Sequence, residues 1–216
     1  MFLIDMFNKK TVMPTAETAL PGRNLPIPTA ETHFVTGRPL HGPDPDGMAS
    51  ISLGMGHFWA AERLLWQRQG VWVTVAGYQG GFTPNPTAQE TVTGLTGHAE
   101  VVKVVYDAQL LPLPNLLKIF FEGHDPTQGM RQGNDIGSAY RSAVFVASAQ
   151  DRDTAERMRD VYQQALYRAG RTSKITTEIA EAPMFYPAEE YHQQYLARNP
   201  AANSALRGTG VDCPVL

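Results

Sequence analysis

The residue with most chemical potential is His57. It lies in Gly54-Met55-Gly56-His57-Phe58-Trp59-Ala60-Ala61-Glu62-Arg63. An apolar run, Ile51 to Leu53, leads into the glycine pair, and a helical pattern begins after the two aromatics. The sequence therefore predicts a strand, a tight turn and a helix start, with glycine supplying the turn's positive φ. Residue 57 is presented at the helix N-terminus, where free N–H groups and the dipole favour an anion. An imidazole there is expected to fall below its usual pKa of about 6.5 and to stay neutral. Neutral imidazole serves as a base, a hydrogen-bond partner or a metal ligand.

Other reactive side chains are few. His98 and Glu100 are two apart in an apolar run, so a strand there aims both at one face. With His57 they would make two histidines and a carboxylate, the set that holds non-haem iron, if all three converge. Asp135 and Tyr140 lie in a Gly- and Asp-bearing stretch. Cys213 is the single cysteine, so no intramolecular disulfide is available.

The elements that must position these groups follow from periodicity. Strands are expected at Ala49 to Leu53, Val71 to Ala76, His98 to Tyr106, Ala143 to Ala147 and Ile175 to Ala180. Helices are expected at Phe58 to Gln69, Asn115 to Glu122 and Asp153 to Ala169, the last charged and on the outside. Gly77 to Glu90 and residues 124 to 139 read as long loops. Such loops are usually either functional or disordered. Residues 1–48 are rich in Pro and Gly, carry PTAET twice, and read as an extended arm on the domain. The core domain is expected over 49–198, with a polar tail over 199–216. Strands and helices mix without βαβ repetition, which indicates an α+β two-layer domain.

Several ordered blocks resemble the A-type peptide methionine-sulfoxide reductases. The stretch around His57 is similar to that family's Gly-Cys-Phe-Trp-Gly loop. Gly77 to Thr87 (GYQGGFTPNPT), Gly97 to Glu100, His124 to Thr127, Gln132 to Asp135 with Tyr140 to Ser142, Thr176 to Ile179 and Glu189 to Tyr195 (EEYHQQY) match further blocks. The resemblance spans roughly residues 50–200. It implies an MsrA-like two-layer sandwich with a central mixed sheet and long irregular loops.

It also implies roles. In that family a cysteine attacks the sulfoxide sulfur, a Phe-Trp pair holds the methyl group, and a glutamate and two tyrosines hold the oxygen. Carried over, Phe58 and Trp59 wall the methyl pocket and Glu100 is the acid, with Asp135 and Tyr140 beside it. The second tyrosine falls at Ala88, leaving extra room in the substrate pocket. A cysteine often present falls at Val92 and the C-terminal resolving cysteine near Ser204. The attacking cysteine falls at His57, and imidazole has no reversible oxidation step equivalent to a sulfenic acid. His98, His124 and His192 carry structural roles.

Three readings follow. In the first, His57 as base and Glu100 as acid act on a small sulfur compound (methyl sulfoxide, thioether or sulfonium), without cofactor and without thioredoxin as a partner. In the second, His57, His98 and Glu100 bind a divalent metal. In the third, the chain is an inactive or binding-only homologue, or a Cys-to-His variant, of a true reductase. A net charge of −3 argues against nucleic acid. No apolar run approaches the ~20 residues of a membrane span. MFLIDMFNKK places its lysines after its apolar patch, the reverse of a secretory signal, so a cytoplasmic protein is expected.

Overall fold

A computed structural model describes residues 10–216. The first nine residues of the expected arm lie outside the described residues. The architecture is α+β, built on a six-stranded sheet of order β7-β6-β1-β3-β2-β8. Its strands are β1 (Ala49–Met55), β2 (Val71–Gln79), β3 (Ala99–Tyr106), β6 (Ser142–Val146), β7 (Glu178–Glu181) and β8 (Tyr186–Pro187). All neighbours are antiparallel except β6 and β7, so the sheet is mixed. A separate hairpin pairs β4 (Arg131–Gln132) with β5 (Asp135–Ile136).

β1 lies between β6 and β3, and Ser50, Ser52 and Gly54 alternate with its apolar residues. Ile51, Leu53 and Met55 face the main core. Helix α1 (Phe58–Trp66), α3 (Leu113–Gly123) and α4 (Ala149–Arg168) contribute Leu65, Phe121 and Tyr162 to the same core. The opposite sheet face carries a smaller cluster of Ala99, Val101, Ala143 and Phe145. Two short helices complete the set, α2 (Ala88–Thr91) and α5 (Tyr195–Arg198).

Several boundaries differ from the periodicity reading. β2 continues through Gly77 to Gln79, because Gly77 pairs with both Val101 and Pro187. The expected loop up to Glu90 ends in α2, whose Thr87 and Glu90 form a capping box. α4 starts at Ala149 rather than Asp153, capped by the Ser148 hydroxyl. β3 starts at Ala99, so His98 lies before the strand. The EEYHQQY run is a 3₁₀ turn at Glu190–His192 followed by α5, with Gln194 at φ +48° between them.

Residues 10–48 lie along the domain in irregular conformation. Arg23 pairs with Glu90 at 2.7 Å, and Lys103 pairs with Asp44 at 2.9 Å. His33 is fully buried and bonds Thr74. Thr74 in turn donates to Glu62, a buried carboxylate on α1 that also accepts from the backbone and side chain of Gln194. The segment after Asn199 is not a free polar tail. Leu206 and Val211 pack on the main core and Cys213 is buried in it. No helix among the described residues is long and apolar enough to cross a membrane.

Candidate active site

The end of β1 and the start of β3 lie side by side at one end of the antiparallel pair in the middle of the sheet, and this brings His57 to Glu100. The chain leaves β1 through Gly56 at φ +90°. A Cβ there would sit 2.6 Å from Cβ of Gln132, so only glycine fits. His57 is the N-cap of α1, in extended conformation, and its side chain makes no cap bond. Glu100 does so instead: its Oε2 accepts from the Phe58 N–H at 3.1 Å. The same oxygen lies 2.5 Å from Nδ1 of His57.

This contact reverses the expected charge of His57. Burial pushes the imidazole pKa down, but the hydrogen bond and charge of Glu100, with the charge of Asp135, outweigh it. The net shift is upward. The expectation of a neutral imidazole considered the helix dipole alone. A carboxylate in contact dominates a half-charge spread over the first turn. His57 with Nδ1–H donated to Glu100 leaves Nε2 as its second polar atom. The His57 side chain is 26% exposed and that of Glu100 only 3%.

Tyr140 ends a 3₁₀ turn, Ser138–Tyr140, and meets the His57 ring edge-on at 6.3 Å. Burial, and then the charges of Glu100 and Asp135, raise its pKa, so it stays a neutral phenol. Trp59 meets the His57 ring at 4.3 Å. Its indole is fixed twice: it stacks on Tyr195 at 3.6 Å and 10°, and Nε1 donates to Nδ1 of His192 at 2.9 Å. Phe58 is buried behind it, 5.0 Å from the His192 ring.

His57 and Trp59 open onto a cavity of about 610 Å³. Gln132, Asn134 and Asp135 of the β4–β5 hairpin line it, together with residues 203–207. The structure thus brings His57, Glu100, Tyr140 and Asp135 together. Trp59 reaches the cavity, whereas Phe58 supports it from behind. Ala88 is not in the cavity wall; its backbone N–H is bonded to Glu189, which also holds the Tyr78 hydroxyl.

The metal set of His57, His98 and Glu100 does not form. Nδ1 of His98 accepts from Gly81 N–H at 3.0 Å, and Nε2 donates to the Thr83 carbonyl at 2.7 Å. Both ring nitrogens serve the backbone, which leaves no lone pair for a metal. The strand alternation that placed His98 beside Glu100 fails because β3 begins one residue later. Among the described residues, no group of three His, Cys, Asp or Glu is placed to hold a metal ion.

Cys213 lies in the main core and does not line the cavity. Burial pushes its thiol up to about 12, with Glu122 adding to the shift and Lys118 opposing it. Two site residues escape a motif reading. Tyr195 was visible only as the end of EEYHQQY. Arg207 was hidden in a segment read as a polar tail.

The sequence profile of the family described as "Peptide methionine sulfoxide reductase" matches residues 49–210. The chain belongs to that family. Peptide methionine sulfoxide reductase MsrA 1 of Rhizobium meliloti is 63% identical over 215 residues, covering 100% of this chain and 99% of its own. Methionine sulfoxide reductase A of Corynebacterium diphtheriae has the same fold: TM-score 0.83, 40% identity, 95% of this chain and 99% of that one. Mxr1 of Saccharomyces cerevisiae in reduced form gives 0.68 at 31% identity, over 77% and 96%. The expected MsrA-like sandwich is therefore the fold of this family member. Yeast Mxr1 has also been solved in complex with Trx2. That finding corrects the expectation against thioredoxin, which rested on the missing thiols alone.

Proposed function

We propose that this reductase-family chain binds a methyl sulfoxide on a sulfur-bearing side chain and works on it by acid–base chemistry of His57 and Glu100. The observation that carries the reading is the 2.5 Å contact between His57 Nδ1 and Glu100 Oε2 beside a cavity. His57 stands where the family's attacking cysteine is expected. Held charged by Glu100, it presents Nε2–H as a hydrogen-bond donor.

A sulfoxide oxygen is a strong acceptor and suits that donor, with the Tyr140 phenol as a second. The same positive charge disfavours a sulfonium, and a thioether offers only a weak acceptor. Trp59, locked by Tyr195 and His192, gives a rigid wall for the methyl group.

The chain brings no usable thiol to the cavity, so reduction needs an external thiol or dithiol. A first thiol attacks the sulfoxide sulfur, and its own proton together with one from His57 goes to the departing oxygen, giving a thiosulfonium and water; the proton of the second thiol restores His57. A second thiolate attacks the thiol-derived sulfur, releasing the sulfide and a disulfide. Two thiols are oxidised and one sulfoxide is reduced. One external dithiol supplies both thiols. Loss of a built-in nucleophile costs on the order of 10⁴ to 10⁶ in rate, so turnover is expected to be slow.

The test is reduction of a methyl sulfoxide by an external dithiol, together with sulfoxide binding. Wild-type protein is expected to accelerate reduction, His57→Ala to remove the acceleration, and His57→Cys to raise it above wild type. Equal rates in wild type and His57→Ala would exclude acid–base catalysis by His57.

A further inference from the structure

Gln194 has the left-handed dihedrals φ +48° and ψ +41°, which a residue with a side chain seldom adopts. It joins two fixed groups. Before it, the Gln193 carboxamide accepts from the Ala76 N–H on β2 at 3.0 Å and donates to the Ala76 carbonyl at 2.9 Å. After it, Tyr195 opens α5 with its ring stacked on Trp59. The conformation of Gln194 therefore sets where Tyr195 lies against the indole.

That conformation is held from two sides. Glu62, on α1 with Trp59 and fully buried, accepts from the Gln194 N–H at 2.8 Å and from its Nε2 at 2.7 Å. On the other side, the Phe34 N–H of the arm donates to Gln194 Oε1 at 2.9 Å. The Thr74 hydroxyl also donates to Glu62, at 3.2 Å. Nδ1 of His33 accepts from the N–H groups of Val35 and Thr36, so its proton lies on Nε2 and faces the Thr74 oxygen at 3.1 Å. Each of these polar hydrogens thus points along a chain that ends on Glu62, and both of its oxygens act as acceptors. Burial pushes the Glu62 carboxyl up to about 7, opposed by the bonds from Gln194 and Thr74 and by the charge of Arg198.

We propose that Glu62 is a positioning residue for the site. By binding Gln194 twice, it fixes the left-handed turn that lays Tyr195 on Trp59. Through Gln194 and Thr74 it also ties residues 33–34 of the arm to the aromatic wall. The proposal rests on the sulfoxide reading only for what that wall holds. A carboxylate is required because it offers acceptors alone. In Glu62→Gln the carboxamide turns an NH₂ toward a Gln194 donor in either orientation, and a donor left facing a donor is destabilising. Turning the Gln194 carboxamide over to compensate sets its NH₂ against the Phe34 N–H instead.

NMR of the full chain at pH 8, where Glu62 is mostly charged, tests this without a ligand. The readout is the Trp59 indole N–H resonance, assigned by its loss in Trp59→Phe. Tyr195→Leu gives its position without the stack. Glu62→Gln and Gln194→Met are each expected to move the resonance toward that position. The exchange Glu62→Gln/Gln194→Glu restores a donor–acceptor match between positions 62 and 194 and should move it back toward wild type. Folded Glu62→Gln with a wild-type indole resonance would overturn the proposal, as would an exchange variant no closer to wild type than Glu62→Gln. If Glu62→Gln does not fold, Gln194→Met decides by the same readout. Methyl sulfoxide titration at pH 7 reads the consequence: Gln194→Met should bind severalfold more weakly than wild type. Wild-type protein that binds no sulfoxide would remove the sulfoxide reading, while the indole resonance still decides whether Glu62 positions the wall.

Discussion

One carboxylate oxygen, Oε2 of Glu100, contacts both His57 Nδ1 at 2.5 Å and the Phe58 N–H at 3.1 Å. A buried acid thereby caps α1 and fixes the charge of the residue at its tip. The side-chain orientation of His57 and the start of the helix depend on the same atom. Chemistry at His57 is coupled to the position of α1 for that reason.

The first prediction is a pH dependence. The folded-state pKa of His57 lies above its ordinary value. Its contribution to stability is then complete below about pH 6.5 and is lost as pH rises through the folded-state pKa. Any function that needs the imidazolium follows the same limb and falls toward alkaline pH. In Glu100→Gln, the main opposing charge is gone and burial pushes the imidazole down. Titration by NMR should show His57 above 6.5 in wild type and lower in Glu100→Gln. An unchanged His57 titration in that variant would refute the pairing. The same substitution weakens a charge-assisted cap and should cost about 1–3 kcal/mol of stability in denaturant unfolding.

The sequence disclosed the scaffold more fully than the site. Alternating and continuous apolar runs located all the long strands, since burial on a sheet leaves a direct trace in residue type. The Gly54 to Arg63 turn also showed where His57 would stand. Its charge state is not legible there, because a contact between residues 57 and 100 depends on how β1 and β3 align. His98 failed as a ligand for a similar reason: one residue of difference in the strand start turned it to Gly81 and Thr83. Arg207 was missed because packing of Leu206 and Gly208, rather than any local pattern, holds its segment against the domain. Long-range contacts of this kind have no periodicity to read.

A second prediction concerns Cys213. A thiol pushed up to about 12 from an ordinary 9.0 carries roughly a thousandfold less thiolate at neutral pH. Burial in the core restricts access further. Labelling of the native protein with a disulfide reagent should therefore be slower than that of the unfolded chain by a thousandfold or more. Cys213→Ala should leave sulfoxide binding and turnover unaltered. Rapid labelling in the native state, or loss of turnover in Cys213→Ala, would return the thiol to the reaction.

A third prediction isolates the wall of the pocket. Trp59 and Tyr195 come from α1 and α5, distant in sequence, and stack at 3.6 Å with their planes 10° apart. Stacked aromatic pairs contribute about 0.5–1.5 kcal/mol beyond simple burial. A double-mutant cycle with Trp59→Ala and Tyr195→Ala should return a coupling of that size in unfolding experiments. The same cycle read by sulfoxide titration separates support from contact. Tyr195→Ala frees the indole on one face and should weaken binding by a smaller factor than Trp59→Ala, which removes the wall. If both single variants bound sulfoxide as tightly as wild type, the methyl group would not rest on Trp59, and the cavity would hold its ligand through polar contacts alone.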